Sequence, residues 1–279
     1  MIITVIGTGL IGGSLAVTLK KLNFCKEVIG VDLNPDNIKT ALSLNLIDRT
    51  TNLKEAVKAS DIVIIAVPVD ASINVLNQVL DLTTNQIVLD TGSTKENIIQ
   101  AAAKHKNRKR FVATHPIWGT EYKGPQAAVC GAFNGKVTVI CNPEESDADA
   151  LQKAEEMYHC LGMNIIYMNA TSHDLHAAYV SHISHITSFA LALSVLEKEK
   201  EEDTIFQLAG AGFESTVRLA KSNPEMWIPI FRQNRSNILD VLNEQIYQLK
   251  QFKKLMELEE FDALYKLIEQ ANQIKRIIK

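Results

Sequence analysis

The chain has 279 residues, 46% of them hydrophobic and 22% charged, and its formal net charge is −3. This is the composition of a globular protein with enough apolar side chains for one large domain or two ordinary ones. The small acidic excess argues against a dedicated nucleic-acid-binding protein, which usually carries a basic excess, and it gives no reason to expect binding to anionic membranes.

The cysteines and the apolar runs predict a reducing, cytoplasmic setting. The first apolar run, "IITVI", lacks the basic flank and the cleavage site of a signal peptide, and stretches such as "IVIIAVPV" are too short to span a bilayer. No two cysteines have C-x-x-C spacing, so we interpret all four as reduced thiols packed as small hydrophobic side chains. They are Cys25, Cys130, Cys141 and Cys160.

Strand and helix patterns alternate over the first 168 residues. Short continuous apolar runs are typical of strands buried on both faces of a parallel sheet, and segments with helical spacing separate them. The alternation predicts an α/β fold with a Rossmann-type, mainly parallel sheet and helices on both of its faces. The predicted strands are 2–7, 27–32, 61–68, 86–93, 110–115, 136–141 and 163–168, and the predicted helices are 10–22, 35–44 with Asn34 as cap, about 70–80, and 94–105.

Helical patterns dominate the rest of the chain, with "LAGAGF" at 208–213 as the one strand-like stretch. Apolar periodicity predicts helices over 171–200, over 223–256 with a disturbance at Pro229, and over 259–278. No flexible linker separates the two patterns. The sequence therefore predicts a dinucleotide-binding Rossmann domain at 1–169, joined directly to an all-helical domain at 170–279.

A glycine cluster between the first strand and the first helix predicts dinucleotide binding. "GTGLIGG" gives Gly7, Gly9 and Gly12 the spacing G-x-G-x-x-G, which allows a tight turn, a close approach to a pyrophosphate and a helix packed close to the sheet. Asp32 ends the second strand, 20 residues after Gly12, where a carboxylate bonds the ribose hydroxyls of NAD and repels the 2′-phosphate of NADP. The pattern favours NAD; a glycine turn with a capping aspartate is the alternative.

Two polar side chains follow neighbouring predicted strands. Ser93 comes at the end of strand 86–93, and His115 ends strand 110–115 just before Pro116. Ligands of such sheets bind at the carboxyl ends of the strands. A histidine there can accept a proton from an alcohol as hydride leaves its carbon, and a serine can bond the same alcohol. We therefore interpret His115 as a catalytic base, with a loop histidine bonded to a carbonyl as the alternative.

The helical region adds histidines and an arginine. Four of the seven histidines lie within thirteen residues, but without the zinc-protease pattern, so substrate contact is favoured over a metal site and packing is the alternative. Arg218 follows a glycine-rich stretch, and arginine is the natural bidentate partner of a carboxylate, although a solvated surface role is open. The histidines are His173, His176, His182 and His185.

Seven stretches along nearly the whole chain resemble the prephenate/arogenate dehydrogenase family: "GTGLIGGS", "AVP", "DTGSTK", "THPIWGTE", "HDLHAAYVSHISH", "GAGFESTVRLA" and "NPEMW". The resemblance implies an NAD-dependent enzyme that oxidatively decarboxylates prephenate to 4-hydroxyphenylpyruvate on the route to tyrosine. Three alternatives stand beside it. They are an arogenate dehydrogenase, often linked to NADP; a β-hydroxyacid dehydrogenase, whose helical-domain lysine is replaced here by "SHISH"; and a non-catalytic, NAD-sensing regulator.

The resemblance also implies roles for single residues. His115 would accept the proton of the ring hydroxyl, and Ser93 would bond that hydroxyl and help set the nicotinamide. Arg218 would hold a substrate carboxylate and His185 would contact the side-chain end of the substrate. Glu121 and Trp227 would shape and close the pocket. The implied contacts with NAD come from Gly7, Gly9, Leu10, Ile11, Gly12, Asp32, Val67 and Pro68.

The chain departs from the family pattern near Arg218. Family members often carry a glycine where this chain has Ala211 and an aspartate where it has Ser215, which leaves carboxylate binding in place but bears on pocket closure. The resemblance and the long apolar helices after residue 224 further predict a homodimer formed through the C-terminal helices. The helical domain would thus serve both substrate binding and dimerisation.

Overall fold

The computed structural model of the protein describes residues 1–202 and 204–277. Eight strands form one sheet in the order β3-β2-β1-β4-β5-β6-β7-β8. The pair β6 and β7 is antiparallel and every other neighbouring pair is parallel, so the predicted mainly parallel Rossmann-type sheet is confirmed. The strands are β1 Ile2–Ile6, β2 Glu27–Val31, β3 Arg49–Thr50, β4 Ile62–Ile65, β5 Ile87–Asp90, β6 Phe111–Pro116, β7 Val137–Cys141 and β8 Asn164–Met168.

Twelve α-helices lie in the described part of the chain. As predicted, Pro35 opens the second helix, and the side chain of Asn34 caps it by accepting a hydrogen bond from the N–H of Asp36. The helices are α1 Leu10–Lys21, α2 Pro35–Ser43, α3 Leu53–Ala59, α4 Val69–Leu82, α5 Glu96–Ala102, α6 Ala148–Cys160, α7 Ala170–Ala177, α8 Ile183–Glu199, α9 Ala211–Val217, α10 Pro224–Gln233, α11 Arg235–Glu257 and α12 Phe261–Ala271. The strand β3 and the helices α3 and α6 were not among the predicted elements.

Successive residues of the central strands point to two hydrophobic clusters on opposite faces of the sheet. In β4, Ile62 and Ile64 belong to one cluster, and Val63 and Ile65 belong to the other. This alternation is the two-residue period of a strand, and it explains why strands covered on both faces read as continuous apolar runs. The sheet therefore holds the carboxyl ends of its strands on a rigid, fully packed support.

The first helix after the sheet is continuous over Ala170–Glu199, because a π-helical segment, Ala178–His182, joins α7 to α8. By length and composition this helix could cross a membrane, although one such helix is weak evidence. Three of its polar side chains, His173, Asp174 and His182, are buried and hydrogen-bonded within the protein. These contacts place the first part of the helix in the protein interior, although only 17% of its most apolar window is buried.

Two predicted features of the helical region were wrong. The strand-like stretch at 208–213 is not a strand: it ends a 3₁₀ turn, Ile205–Leu208, and begins α9. The helix predicted over 223–256 breaks at Asn234 and not at Pro229, which is buried inside α10. The break depends on a tertiary contact. The side-chain amide of Asn234 donates a hydrogen bond to the carbonyl oxygen of Asp174.

The predicted last helix and the predicted domain boundary have different outcomes. The helix predicted over 259–278 is α12 followed by a 3₁₀ turn, Asn272–Arg276, and residue 278 lies outside the described residues. By packing, the chain divides into two units, Met1–Asn234 and Arg235–Lys279. The boundary at 169/170 was drawn from the change of pattern along the sequence, and it stays a prediction.

Candidate active site

The first strand ends in a turn that requires glycine. Gly7 has a φ of +91°, and a Cβ atom there would lie 2.4 Å from the carbonyl oxygen of Ala66. A Cβ atom on Gly12 would lie 2.0 Å from the carbonyl oxygen of Gly7. Gly9, in contrast, is the N-cap of α1 and faces open space. The turn therefore leaves room for a pyrophosphate at the N-terminus of α1, where free N–H groups and the helix dipole favour an anion.

Asp32 lies beside this turn, one residue after β2. Its Oδ2 accepts hydrogen bonds from the N–H of Thr8 at 2.9 Å and from the Thr8 hydroxyl at 3.1 Å, and its Oδ1 accepts one from the N–H of Asn34 at 2.9 Å. These bonds fix the position of the carboxylate beside the glycine turn. Of the other predicted NAD contacts, Pro68 is exposed, whereas Leu10, Ile11 and Val67 are partly buried.

His115 lies near the end of β6 and pairs with a second histidine. Its Nδ1 is 2.8 Å from Nε2 of His173 on α7, and Nδ1 of His173 is 2.8 Å from Oδ1 of Asp174. His173 and Asp174 are buried, while His115 keeps a partly exposed edge. His115 is therefore not a loop histidine bonded to a carbonyl, because its partner is another titratable side chain.

A buried ion pair lies beneath the same strand ends. The ammonium of Lys95 contacts Oδ2 of Asp90 and donates a hydrogen bond to the carbonyl oxygen of Thr114 at 2.8 Å, and neither charged side chain has exposed surface. Asp90 in turn accepts a hydrogen bond from the N–H of Thr114 at 3.1 Å. The pair ties the end of β5 to the end of β6, and so fixes the position of the backbone that carries His115.

The surroundings of His115 determine its protonation. Burial lowers its pKa well below the usual 6.5, and the neighbouring His173, Lys95 and His182 lower the pKa further. The imidazole is consequently neutral at neutral pH. A neutral imidazole with a partly exposed edge can accept a proton from a bound hydroxyl group.

Trp227 brings two helix histidines together. The ring of His185 stacks on it with centroids 3.5 Å apart, and the ring of His182 meets it edge-on at 5.8 Å. Burial lowers the pKa of His182 to about 4, and its Nδ1 lies 3.1 Å from the amide nitrogen of Asn234, which donates to it. The indole N–H of Trp227 is buried and has no hydrogen-bond partner in the described part of the chain.

Arg218 and Glu121 form the open side of the site. The two side chains approach to 3.9 Å, and Arg218 is 57% exposed while Glu121 is 27% exposed. Glu121 also lines an open cavity of about 740 Å³. Arg218 is therefore accessible to a carboxylate, and it is not the buried charge that a closed binding pocket would hold.

Ser93 leaves the sheet next to His115. In the parallel strands β5 and β6, Asp90 lies opposite Ala113. Ser93 and His115 follow these positions along the chain and therefore lie at the same edge of the sheet. The Ser93 side chain has no hydrogen-bond partner among residues 1–202 and 204–277, which leaves its hydroxyl available to a ligand. No group of three or more potential metal ligands occurs within those same ranges.

Sequence reasoning missed several residues of this site. Asp90 and Lys95 gave a usable signal, because two charged residues flank the turn after a buried strand in "DTGSTK". His173 belongs to the histidine cluster of the sequence, but its contact with His115 and the contact of Asp174 with Lys95 gave no signal, since these partners lie 58 and 79 residues away along the chain.

Comparisons with known proteins place these features in context. A family model described as "Prephenate dehydrogenase, nucleotide-binding domain" matches residues 15–167, and one described as "Prephenate dehydrogenase, dimerization domain" matches residues 169–270. The prephenate dehydrogenase of Bacillus subtilis is 28% identical over 273 residues, which cover 96% of this chain and 74% of that protein. The cyclohexadienyl dehydrogenase of Zymomonas mobilis is 28% identical over 282 residues, which cover 99% and 96%.

A solved structure matches over the full length. The prephenate dehydrogenase of Aquifex aeolicus, in complex with hydroxyphenyl propionate and NAD⁺, has a TM-score of 0.91 and 27% sequence identity. The match covers 100% of this chain and 98% of that one.

Proposed function

The chain belongs to the prephenate dehydrogenase family, and from this premise we propose that it is an NAD-dependent prephenate dehydrogenase of tyrosine biosynthesis. The reaction is the oxidative decarboxylation of prephenate to 4-hydroxyphenylpyruvate. The observation that carries the proposal is His115: a neutral imidazole at a strand end, bonded through Nδ1 to His173 and lying at the sheet edge where a dinucleotide binds.

The residues around the glycine turn fit NAD. Gly9 borders open space, and the carboxylate of Asp32 lies beside the turn, which favours a ribose with free hydroxyls over one that carries a phosphate. When NAD is bound, its nicotinamide supplies the acceptor for hydride. The chain itself positions the reactants and moves one proton.

His115 has the central chemical role. Its imidazole accepts the proton of the hydroxyl group on the prephenate ring, as hydride leaves the carbon that carries this hydroxyl. Loss of hydride and CO₂ makes the substrate ring aromatic, so the step is strongly downhill and the protein mainly orients the reactants. Ser93, whose hydroxyl has no partner in the described residues, would bond the same hydroxyl of the substrate.

The helical side of the site would hold the rest of prephenate. Arg218 is accessible for a bidentate contact with a carboxylate, with Glu121 beside it. His185, stacked on Trp227, would meet the side-chain end of the substrate. The unpaired indole N–H of Trp227 supports a polar ligand at this place.

Production of NADH, measured at 340 nm, tests the function. Prephenate with NAD should give the highest kcat/KM among the four combinations of prephenate or arogenate with NAD or NADP. His115→Asn should abolish most of this activity, and His159→Asn, which changes an exposed histidine on α6, should not. Higher kcat/KM with arogenate would select the arogenate alternative, and no turnover with any combination would contradict an enzyme of this family.

The assignment of domains and of the dimer interface is part of the same proposal. We assign residues 1–169 to cofactor binding and residues 170–279 to substrate binding and dimerisation, and the two family models, which meet near residue 168, support this division. Large apolar side chains are exposed along α11 and α12, which supports a homodimer through these helices. They include Tyr247, Leu249, Met256, Phe261 and Tyr265. The free cysteines support a cytoplasmic location.

Light scattering tests the assembly. The protein should have the mass of a dimer at micromolar concentration. Leu249→Asp should shift it towards monomer because a charge would enter the apolar interface, whereas the neighbouring exposed Lys250→Asp should change the mass much less. A monomer in the unaltered protein would contradict the proposal.

A further inference from the structure

The pair of histidines at the active site continues into a buried aspartate. His115, His173 and Asp174 form a chain with two contacts of 2.8 Å each, from Nδ1 of His115 to Nε2 of His173 and from Nδ1 of His173 to Oδ1 of Asp174. His173 and Asp174 are each 3% exposed, so the contact between them is shielded from water, while His115 keeps a partly exposed edge. The geometry is that of a base held by a second ring, which is itself held by a carboxylate.

The hydrogen-bond partners determine which ring atoms carry protons. Oδ1 of Asp174 accepts a hydrogen bond from the N–H of Lys95 at 2.8 Å, and Oδ2 accepts one from the N–H of Glu96 at 3.0 Å. Both oxygens therefore act as acceptors, and Nδ1 of His173 must be the donor in its contact with Asp174. In a neutral His173 the lone pair is then on Nε2, which can only accept from Nδ1–H of His115.

This order of donors leaves the lone pair of His115 on Nε2. We propose that His173 is a positioning residue of the reaction: it selects the tautomer of His115 whose Nε2 accepts the substrate proton, and it shares the positive charge that results. The proposal rests on the proposed function of His115 as the base.

The proton movements balance. The O–H bond of the substrate breaks and an N–H bond forms at Nε2 of His115, while the hydride leaves with its electron pair for the bound NAD. The proton on Nδ1 of His115 can then move across 2.8 Å to Nε2 of His173. The positive charge thereby comes to lie next to Asp174.

The charges around His115 make such a relay useful. Burial, the adjoining ring of His173 and the ammonium of Lys95, which is paired with Asp90, all disfavour a positive charge that stays on His115. Asp174 is the anion that compensates, and it reaches His115 through the ring of His173. Without His173, the protonated His115 would lose its connection to that carboxylate.

Two substitutions at one position separate positioning from packing. In His173→Gln the amide oxygen can still accept from Nδ1–H of His115, so the tautomer is kept although the proton can no longer pass. In His173→Leu the acceptor is lost. We expect His173→Leu to lower kcat by about 10²–10⁴, the upper bound being the cost of a wrong tautomer in a serine protease. His173→Gln should retain at least about tenfold more activity than His173→Leu, with the KM for NAD little changed in both.

A matched control lies on the same helix. His176 is exposed on α7 and has no hydrogen bond, ion pair or ring contact in the described part of the chain, so His176→Gln should leave kcat unchanged. Thermal unfolding of each variant shows whether it folds. Equal kcat values in folded His173→Leu and the unaltered protein, or equal losses in the Leu and Gln variants, would overturn the proposal.

A spectroscopic measurement stands apart from turnover. Nitrogen-15 NMR of the seven histidines, with the signal of His115 assigned by its loss in His115→Asn, should show Nδ1 protonated and Nε2 bare at neutral pH. The opposite tautomer in the unaltered protein would overturn the proposal even if every variant misfolds. This measurement needs no substrate, so it tests the tautomer independently of turnover. Failure to oxidise prephenate would contradict the proposed function but would not change the tautomer result.

Discussion

The two sides of the candidate site are built in different ways. On the sheet side, Gly7, Asp32, Ser93 and His115 each lie within three residues of the end of a buried strand, so the backbone of the sheet sets their positions. On the helix side, contacts between side chains set the positions: His185 stacks on Trp227, and Arg218, at 57% exposure, approaches Glu121. The difference indicates that chemistry and cofactor choice depend on the rigid side, and that substrate fit depends on the adaptable one.

Changing His115 should have the largest effect and tests whether the sheet side carries the chemistry. His115→Asn should lower kcat by about 10²–10⁴, the usual contribution of a positioned general base. Binding of NAD should persist because the glycine turn and Asp32 are unaffected. Stopped-flow and steady-state kinetics with prephenate give kcat, and cofactor fluorescence gives NAD affinity. A near-normal kcat would mean that another residue accepts the proton, and it would contradict the assignment of the chemistry to His115 on the sheet side.

The same residue should set the acid limit of activity. Burial is the main cause of its lowered pKa, so His115 stays neutral, and active, as the pH falls through 6.5. The acid limb of kcat/KM, which reports the free enzyme, should therefore have its midpoint below pH 6.5, and His115→Asn should remove that limb. An acid limb centred above pH 6.5 would contradict burial as the dominant influence on His115.

The sheet side of the candidate site could be predicted from the sequence better than the helix side. The glycine turn was predictable because the requirement at Gly7 and Gly12 is local, a positive φ in one case and a close backbone contact in the other. The partner of His115 was not predictable, since His173 reaches it only when α7 packs against the sheet. The helix break at Asn234 was missed for the same reason, because its partner Asp174 is 60 residues away.

Asp32 tests the second property assigned to the sheet side, which is cofactor choice. Asp32→Ser should lower kcat/KM for NAD by roughly 10–100-fold, because a hydrogen bond to a charged group contributes about 1.5–3 kcal/mol. It should also raise kcat/KM for NADP, since the repulsion of the 2′-phosphate is removed. Asp32→Asn is the control: it removes the charge and keeps an acceptor for Thr8. Equal kcat/KM for NAD and NADP in the unaltered protein would sink this assignment.

Arg218 tests the helix side through substrate binding. Arg218→Ala should raise the KM for prephenate by roughly tenfold with a smaller change in kcat, since a charge-assisted contact made already in the ground state is lost. The effect should be smaller than for a buried pair, because Arg218 is 57% exposed and solvent screens it. Arg218→Lys keeps the charge without the bidentate geometry, so its KM for prephenate should lie between the values of the unaltered protein and Arg218→Ala. If kcat/KM is unchanged in Arg218→Ala, the arginine is a solvated surface residue.

His185 should give the smallest effect and the sharpest view of substrate fit. Its Nδ1 lies 3.0 Å from the carbonyl oxygen of Ser181, to which it donates, so a neutral ring presents Nε2 and one stacked face to the site. Burial lowers its pKa, which keeps the ring neutral near pH 7. His185→Asn removes the stack on Trp227 and should reduce the ratio of kcat/KM for prephenate over arogenate by roughly threefold, an energy of less than 1 kcal/mol. The kcat for prephenate should change less, since the ring lies away from the reacting carbon.

His185→Phe is the matched variant, because it keeps the stack and removes the nitrogen. A ratio restored by phenylalanine would assign the preference to the aromatic contact, and a ratio unchanged in both variants would show that the helix side does not select between these substrates through His185.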